Sequence, residues 1–284
     1  MKVDNPPHCS DHKRGSTSCQ PVEWNSDEGY AACGRVQCPL EIRVDVSLMI
    51  TCLGDVLRPE AGVATVRLLR RLGVQVHFPE RQTCCGQPFY NSGFLPGARD
   101  MARHTLEVFD TDRPIIVPSG SCAAMVKVEY PHLFHDDPVW HARALAVAAR
   151  TYELSDFLVN QLKVTDVGAE FHGKVAYHYA CHLRGLGLKD EAITLIQNVA
   201  GVEYVPMEKQ DQCCGFGGSF AVRYPEISGA MVGEKVGCVT RTACDLLVST
   251  DTGCLMNIGG ALHRKGAGPK VSHLAELLET RQPG

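Results

Sequence analysis

Two Cys-Cys-Gly triplets, Cys84-Cys85-Gly86 and Cys213-Cys214-Gly215, carry the most conspicuous chemistry in this sequence. Each is preceded by a lone cysteine at the same distance: Cys52 and Cys181 stand 32 positions before the first cysteine of their triplet (84 − 52 and 213 − 181). Each is also followed by one, Cys122 at 37 positions after Cys85 and Cys254 at 40 positions after Cys214. The second set repeats the first at an offset of 129 positions (181 − 52). Chance would supply on the order of 0.07 such triplets in a chain of this length and composition. A duplication whose shared feature is a cysteine pattern implies that each copy binds something.

Four thiolates per copy suit a [4Fe–4S] cluster or a tetrahedral zinc ion. Adjacent cysteines can serve different irons of one cluster, whereas zinc ligands usually come as Cys-x2–4-Cys. A dithiol redox site at each pair is a third reading, weakened because the pair lacks the Cys-x-x-Cys spacing. The residues alone leave these readings open.

The cysteines need elements to hold them. Short apolar runs rich in β-branched residues read as buried strands over Val44–Ile50, Val74–Phe78 and Ile115–Val117, and again over Val175–Tyr179, Val202–Val205 and Leu246–Ser249. Between them, Ala61–Leu72 has a helical pattern with Val63, Val66, Leu69 and Leu72 near one face, and Gly73 reads as its stop. The expected fold is α/β: two tandem β–α–β–α–β units with parallel strands, related by pseudo-twofold symmetry. The units span residues 42–165 and 166–284. Every cysteine of the two sets then falls in a strand-to-helix loop, at the sheet edge where α/β proteins bind ligands. Helix N-termini there favour thiolates. Gly86, Gly215, Gly120 and Gly253 are expected to let backbone approach a bulky inorganic ligand.

Composition narrows the function classes. Hydrophobic residues make up 44% and charged residues 21%, which fits a globular chain. A net charge of −4 gives no drive toward nucleic acid. No membrane-spanning apolar run and no N-terminal secretion signal are visible, so a cytoplasmic, reducing setting is expected. Fourteen cysteines there imply metal or redox work rather than disulfides. Cys238 and Cys244 lie at no ligand spacing and are assigned to packing. Residues 1–41 contain few core-forming side chains and read as a disordered extension. Their Cys9, His12, Cys19, Cys33 and Cys38 match no standard zinc pattern. Neither a ferredoxin run of cysteines nor a Gly-x-Gly-x-x-Gly fingerprint is present, so hydride chemistry would have to come from elsewhere.

The segments ITCLGDVLRPE, CCGQPFYNSG, VPSGSC, CCGFGGSFAVRYPEIS and CLMNIGGAL resemble the cysteine-rich CCG-domain proteins, and more narrowly the LutA/LldE/YkgE group. The resemblance runs from about Val44 to Leu278. It implies an iron–sulfur electron-transfer subunit of a three-protein complex that oxidises L-lactate to pyruvate. Its partners would be a ferredoxin-type iron–sulfur subunit and a third lactate-utilisation protein, and it would not be active alone. Two [4Fe–4S] clusters are expected, on Cys52, Cys84, Cys85 and Cys122 and on Cys181, Cys213, Cys214 and Cys254, with zinc in one site as the alternative. The wider family includes the cysteine-rich component of heterodisulfide reductase, so a thiol–disulfide reductase is the rival function and a zinc-stabilised structural subunit a third. The fullest family pattern ends in Cys-x-x-Cys. Here Ser119 and Asp251 stand three positions before Cys122 and Cys254, which favours an ordinary cubane cluster. Asp251 is a helix cap or an iron ligand.

Four other side chains lie close to the second set. His178 and His182 are candidates for a proton relay or for a group hydrogen-bonded to a ligand. Arg223 and Lys209 flank the second pair and read as solvated charges.

Overall fold

The computed structural model describes residues 44–266 and 268–281, which fall in one compact unit. The expected disordered extension, with Cys9, His12, Cys19, Cys33 and Cys38, lies outside the described residues.

Each half is a four-stranded parallel sheet. The first comprises β1 (Asp45–Leu48), β2 (Gln75–His77), β3 (Ile115–Val117) and β4 (Thr151–Glu153), in the order β2-β1-β3-β4. The second comprises β5 (Glu170–His178), β6 (Ala200–Tyr204), β7 (Leu246–Ser249) and β8 (Lys270–His273), in the order β6-β5-β7-β8. The register repeats along with the order: Ser47 pairs with Ile115, and Ala176, 129 positions later, pairs with Leu247. The β–α–β–α–β expectation is met and extended, because each half adds a fourth strand beside its third. Thr151-Tyr-Glu and Lys270-Val-Ser-His are too short and too polar to announce themselves as strands.

One core receives side chains from both sheets: Val46 and Leu48 of β1, Ile116 of β3, Val175 and Tyr177 of β5, and Val248 of β7. The opposite face of each sheet has its own core. Met49, Ile115 and Val117 pack on the helix Leu95–Val108, and Ala176 and Leu247 pack on the helix Pro225–Arg241. Strands buried on both faces read as continuous apolar runs, which is why the central strands were legible.

The helix expected over Ala61–Leu72 spans Pro59–Arg71, with proline at its first turn and Gly73 at φ +80° just beyond it. Its buried face is Ala61, Ala64, Thr65, Leu68 and Leu69; Val63, expected on that face, is 48% exposed. A 100° rotation per residue puts Val63 on the far side once Leu68 and Leu69 point inward. A second helix, Cys52–Leu57, precedes it, capped where the Thr51 hydroxyl accepts from Gly54 N at 3.1 Å.

Candidate metal centre

All eight cysteines of the two sets line one cavity of ≈ 480 Å³ at the carboxyl ends of the strands. Capped helices position three of the four single ones. Cys52 begins its helix directly after the Thr51 cap. The helix Gly120–Ala124, which carries Cys122, starts where the Ser119 hydroxyl accepts from Cys122 N at 3.3 Å. Cys254 lies in the first turn of Thr252–Arg264, capped by Asp251, whose Oδ1 accepts from Gly253 N at 3.1 Å. Cys181 opens the 3₁₀ segment Cys181–Leu186.

The pairs are held by their glycines and by side chains from the helices beyond. Gly86 and Gly215 have φ of +84° and +82°. A Cβ on either would come within 3.0 Å of the packed helix, at Met101 and at Met231 and the Ser228 carbonyl. These two glycines therefore serve the turn and the helix contact. At Gly120 and Gly253 the space a Cβ would take is filled by Leu183 and Phe216. At all four positions a Cβ would meet protein, and Gly253 itself lines the cavity. The second carbonyl of each pair is tied down, that of Cys85 by Tyr130 Oη at 2.8 Å and that of Cys214 by Asn257 Nδ2 at 2.9 Å.

Sulfur–sulfur contacts stay within each half. Cys52 Sγ lies 3.6 Å from Cys84 Sγ, and Cys85 Sγ lies 3.4 Å from Cys122 Sγ. In the second half Cys213 hydrogen-bonds with Cys181 and Cys214, and Cys214 with Cys254. Hydrogen bonds from Cys52 and Cys85, with help from the Gly86 N–H, hold the Cys84 thiol down to about 3. Those from Cys181 and Cys214, with the Gly215 N–H, hold Cys213 at about 2. The same bonds, with burial, push Cys52 and Cys181 up. Each half thus has one cysteine poised as thiolate, the form that binds metal.

Cys238 and Cys244 are buried with Val236 and Val239 and do not line the cavity. Lys209 pairs with Glu234, and the Arg223 guanidinium lies 5.9 Å from the Tyr224 ring. His182 shares a contact with Gln87 Nε2 at 3.4 Å, and its Nδ1 lies 3.7 Å from Cys181 Sγ. Asp251 does more than cap. Its Oδ2 accepts from Ser119 Oγ at 3.1 Å and from Ser121 N at 3.0 Å, so it joins the two cysteine loops across the halves. With both oxygens committed to protein donors, Asp251 is a cap and bridge in this structure. Sequence reasoning missed Lys235, fully buried beneath the second set, with Nζ donating to the carbonyls of Lys209 and Gln210. The signal was there: Lys235 interrupts the apolar stripe of Val232, Val236 and Val239.

Four thiols converging in each half, two of them adjacent and able to reach different irons, form a donor set that fits an iron–sulfur cluster. Among the described residues, no helix is long and apolar enough to cross a membrane.

Two parallel sheets whose shared edge is floored by two sets of four thiols define a tandem cysteine-rich α/β protein. The family described as Cysteine-rich domain (CCG) matches residues 46–127 and 175–259. Lactate utilization protein A of Anoxybacillus flavithermus is 50% identical over 239 residues, 84% of this chain and 100% of that one. The protein of the same name from Geobacillus kaustophilus is 51% identical over 237 residues, 83% of this chain and 99% of that one. A solved structure, that of a hypothetical protein from Helicobacter pylori, superposes with TM-score 0.61 at 9% identity over 84% of this chain and 49% of that one, a likeness of fold. The chain belongs to the CCG cysteine-rich family, alongside the lactate utilization A proteins.

Proposed function

We propose that this chain is an electron-transfer subunit of an L-lactate-oxidising system, in which lactate becomes pyruvate. It would hold two [4Fe–4S] clusters, one on Cys52, Cys84, Cys85 and Cys122 and one on Cys181, Cys213, Cys214 and Cys254. The observation that carries this reading is the convergence of eight thiols, in two self-contained sets, on one cavity. Lactate enters the reading through the names of the relatives, which match this chain over most of its length. Bound clusters would supply one-electron acceptance and donation. The protein's own residues provide thiolates, the capped loops that aim them, and burial that keeps water from the inner pair of each set.

Oxidising lactate removes two electrons as a hydride or its equivalent, which clusters alone do poorly. The partners would be a ferredoxin-type iron–sulfur subunit and a third lactate-utilisation protein, working in the cytoplasm. Zinc in the second half is the competing reading, favoured by one observation: His178, Cys214 and Cys254 offer ligand atoms all within 4.8 Å of one another. Anaerobic purification with iron, sulfide and zinc analysis separates the two. About eight irons with matching acid-labile sulfide are expected, and no reduction of dye by lactate from the chain alone. Stoichiometric zinc without sulfide would overturn the cluster reading, and lactate-dependent dye reduction would overturn the subunit role.

A further inference from the structure

His178 ends β5 and is 0% exposed, and neither of its ring nitrogens makes a hydrogen bond of ordinary geometry among the described residues, the Gln210 backbone acting on the ring only weakly. A buried polar group left without a good hydrogen bond destabilises the fold, so an imidazole with two such atoms calls for a reason. Its surroundings supply one. A ring nitrogen of His178 and the Sγ atoms of Cys214 and Cys254 lie within 4.8 Å of one another.

The first half offers no counterpart. The 129-position offset that aligns Ser47 with Ala176 in strand register puts Met49 at the place of His178. Met49 is buried in an apolar core with Cys85 and Cys122. A second difference lies on the same side. Gly86 rests on Met101 and Gly215 on Met231, an offset of 130. That offset sets the buried Lys235 against Thr105, so the ammonium too belongs to the second half alone. His182, the other histidine near a cysteine of this half, already has Gln87 as a partner.

We propose that His178 is a nitrogen ligand of the metal centre in the second half, bound alongside the thiolates of Cys214 and Cys254 and taking the place given above to the Cys181 thiolate. The chain would then carry one all-cysteine cluster and one mixed cysteine–imidazole cluster. The inference rests on the iron–sulfur reading above. A neutral imidazole in place of an anionic thiolate raises a cluster's reduction potential, as in centres where histidines replace cysteines. The second centre therefore accepts electrons more readily than the first, and the two sites form a downhill pair rather than a duplicate.

Pulsed paramagnetic resonance of the dithionite-reduced protein, with ¹⁴N- or ¹⁵N-histidine incorporated, tests this. The expected result is a strongly coupled nitrogen that follows the label, persists in His182→Gln and is lost in His178→Met, which installs the first half's residue. If His178→Met does not fold, the labelled wild type and His182→Gln still decide the matter, since no other described histidine approaches the cysteines. Iron and sulfide are measured on the same samples. Full iron and sulfide with no strongly coupled nitrogen, or coupling lost only in His182→Gln, overturns the role of His178 and leaves the cluster reading standing. Absence of sulfide, or zinc in the second half, overturns both.

Discussion

Within each half, the four thiols differ in how readily they give up a proton. Cys84 and Cys213 sit among donors and ionise first, while Cys85, fully enclosed, is pushed up by its bonds to Cys122 and Cys84 and by burial. Metal must therefore displace protons from buried sulfur as well as find thiolate. Replacing one thiol by serine removes a soft ligand while keeping size. Cys84→Ser or Cys85→Ser should lose about half the iron, and Cys213→Ser or Cys214→Ser the other half. Cys238→Ser and Cys244→Ser should keep all of it. Iron analysis checks this, and a single change that empties both halves would mean that ligands are shared between them. The eight positions were legible because a repeated spacing survives without any knowledge of the fold. His178 was visible as a histidine near Cys181, but its empty hydrogen-bonding capacity was not, because that depends on what β7 and the helix Pro225–Arg241 leave around it.

The strand-to-helix joints are where polar groups were buried to fix the loops. Asp251 is the clearest case, with three donors from two halves on one carboxylate. Hydrogen bonds to a charged group contribute about 1.5–3 kcal/mol and an N-cap about 1 kcal/mol. Asp251→Ala should therefore lower the melting temperature by roughly 5–10 °C, at 2–4 °C per kcal/mol for a domain of this size. A melting temperature within a degree of the parent would remove the bridge from the account. Glu153, at the end of β4, is a second case. Its Oε2 accepts from Ser155 N at 2.7 Å and from the Ser155 hydroxyl, while Oε1 is buried without a partner. Burial raises its pKa from 4.5 to about 7. A carboxyl raised on folding favours the folded state while protonated, and that contribution is lost as pH rises from about 4.5 through about 7. The shift corresponds to about 3 kcal/mol at 1.36 kcal/mol per pK unit. Glu153→Gln keeps an acceptor for Ser155 without the charge. It should match the parent at pH 5 and melt higher at pH 8, and thermal melts across that range decide the matter; equal melting at pH 8 would refute it. The sequence hid this joint for the same reason it hid β4 and β8: three or four residues with a charged or polar member make no period.

Across the whole molecule, the halves are joined by more than their common core. Arg58 donates to the Val271 carbonyl and pairs with Glu276 at 3.0 Å, Arg71 donates to the Leu278 carbonyl at 2.6 Å, and buried His273 meets the Pro118 carbonyl at 3.1 Å. Such joints were illegible in the sequence, since each spans more than 150 positions and depends on how two repeats dock. They make the cavity a property of the pair. Its lining includes the two short helices that follow the cysteine pairs, Gln87–Asn91 and Ser219–Arg223, whose ends meet where Ser92 Oγ lies 2.9 Å from Ser219 Oγ. Val222, which lines the cavity, is 82% exposed, and Phe89, Phe94, Tyr224 and Ile227 on the neighbouring turns are exposed as well. Apolar and aromatic side chains gathered beside the proposed cluster site are the kind of surface that the proposed partner subunit would cover. If electrons leave past Val222, a charge placed there should impede the proposed partner without touching the ligands. Val222→Asp should keep full iron and an unchanged melting temperature, since its side chain is largely exposed. It should slow electron exchange with the ferredoxin-type subunit proposed above roughly fivefold or more, the effect of losing ~1 kcal/mol at an interface. Stopped-flow measurement of cluster bleaching reads this directly. An unchanged rate with intact clusters would place the exit on another face.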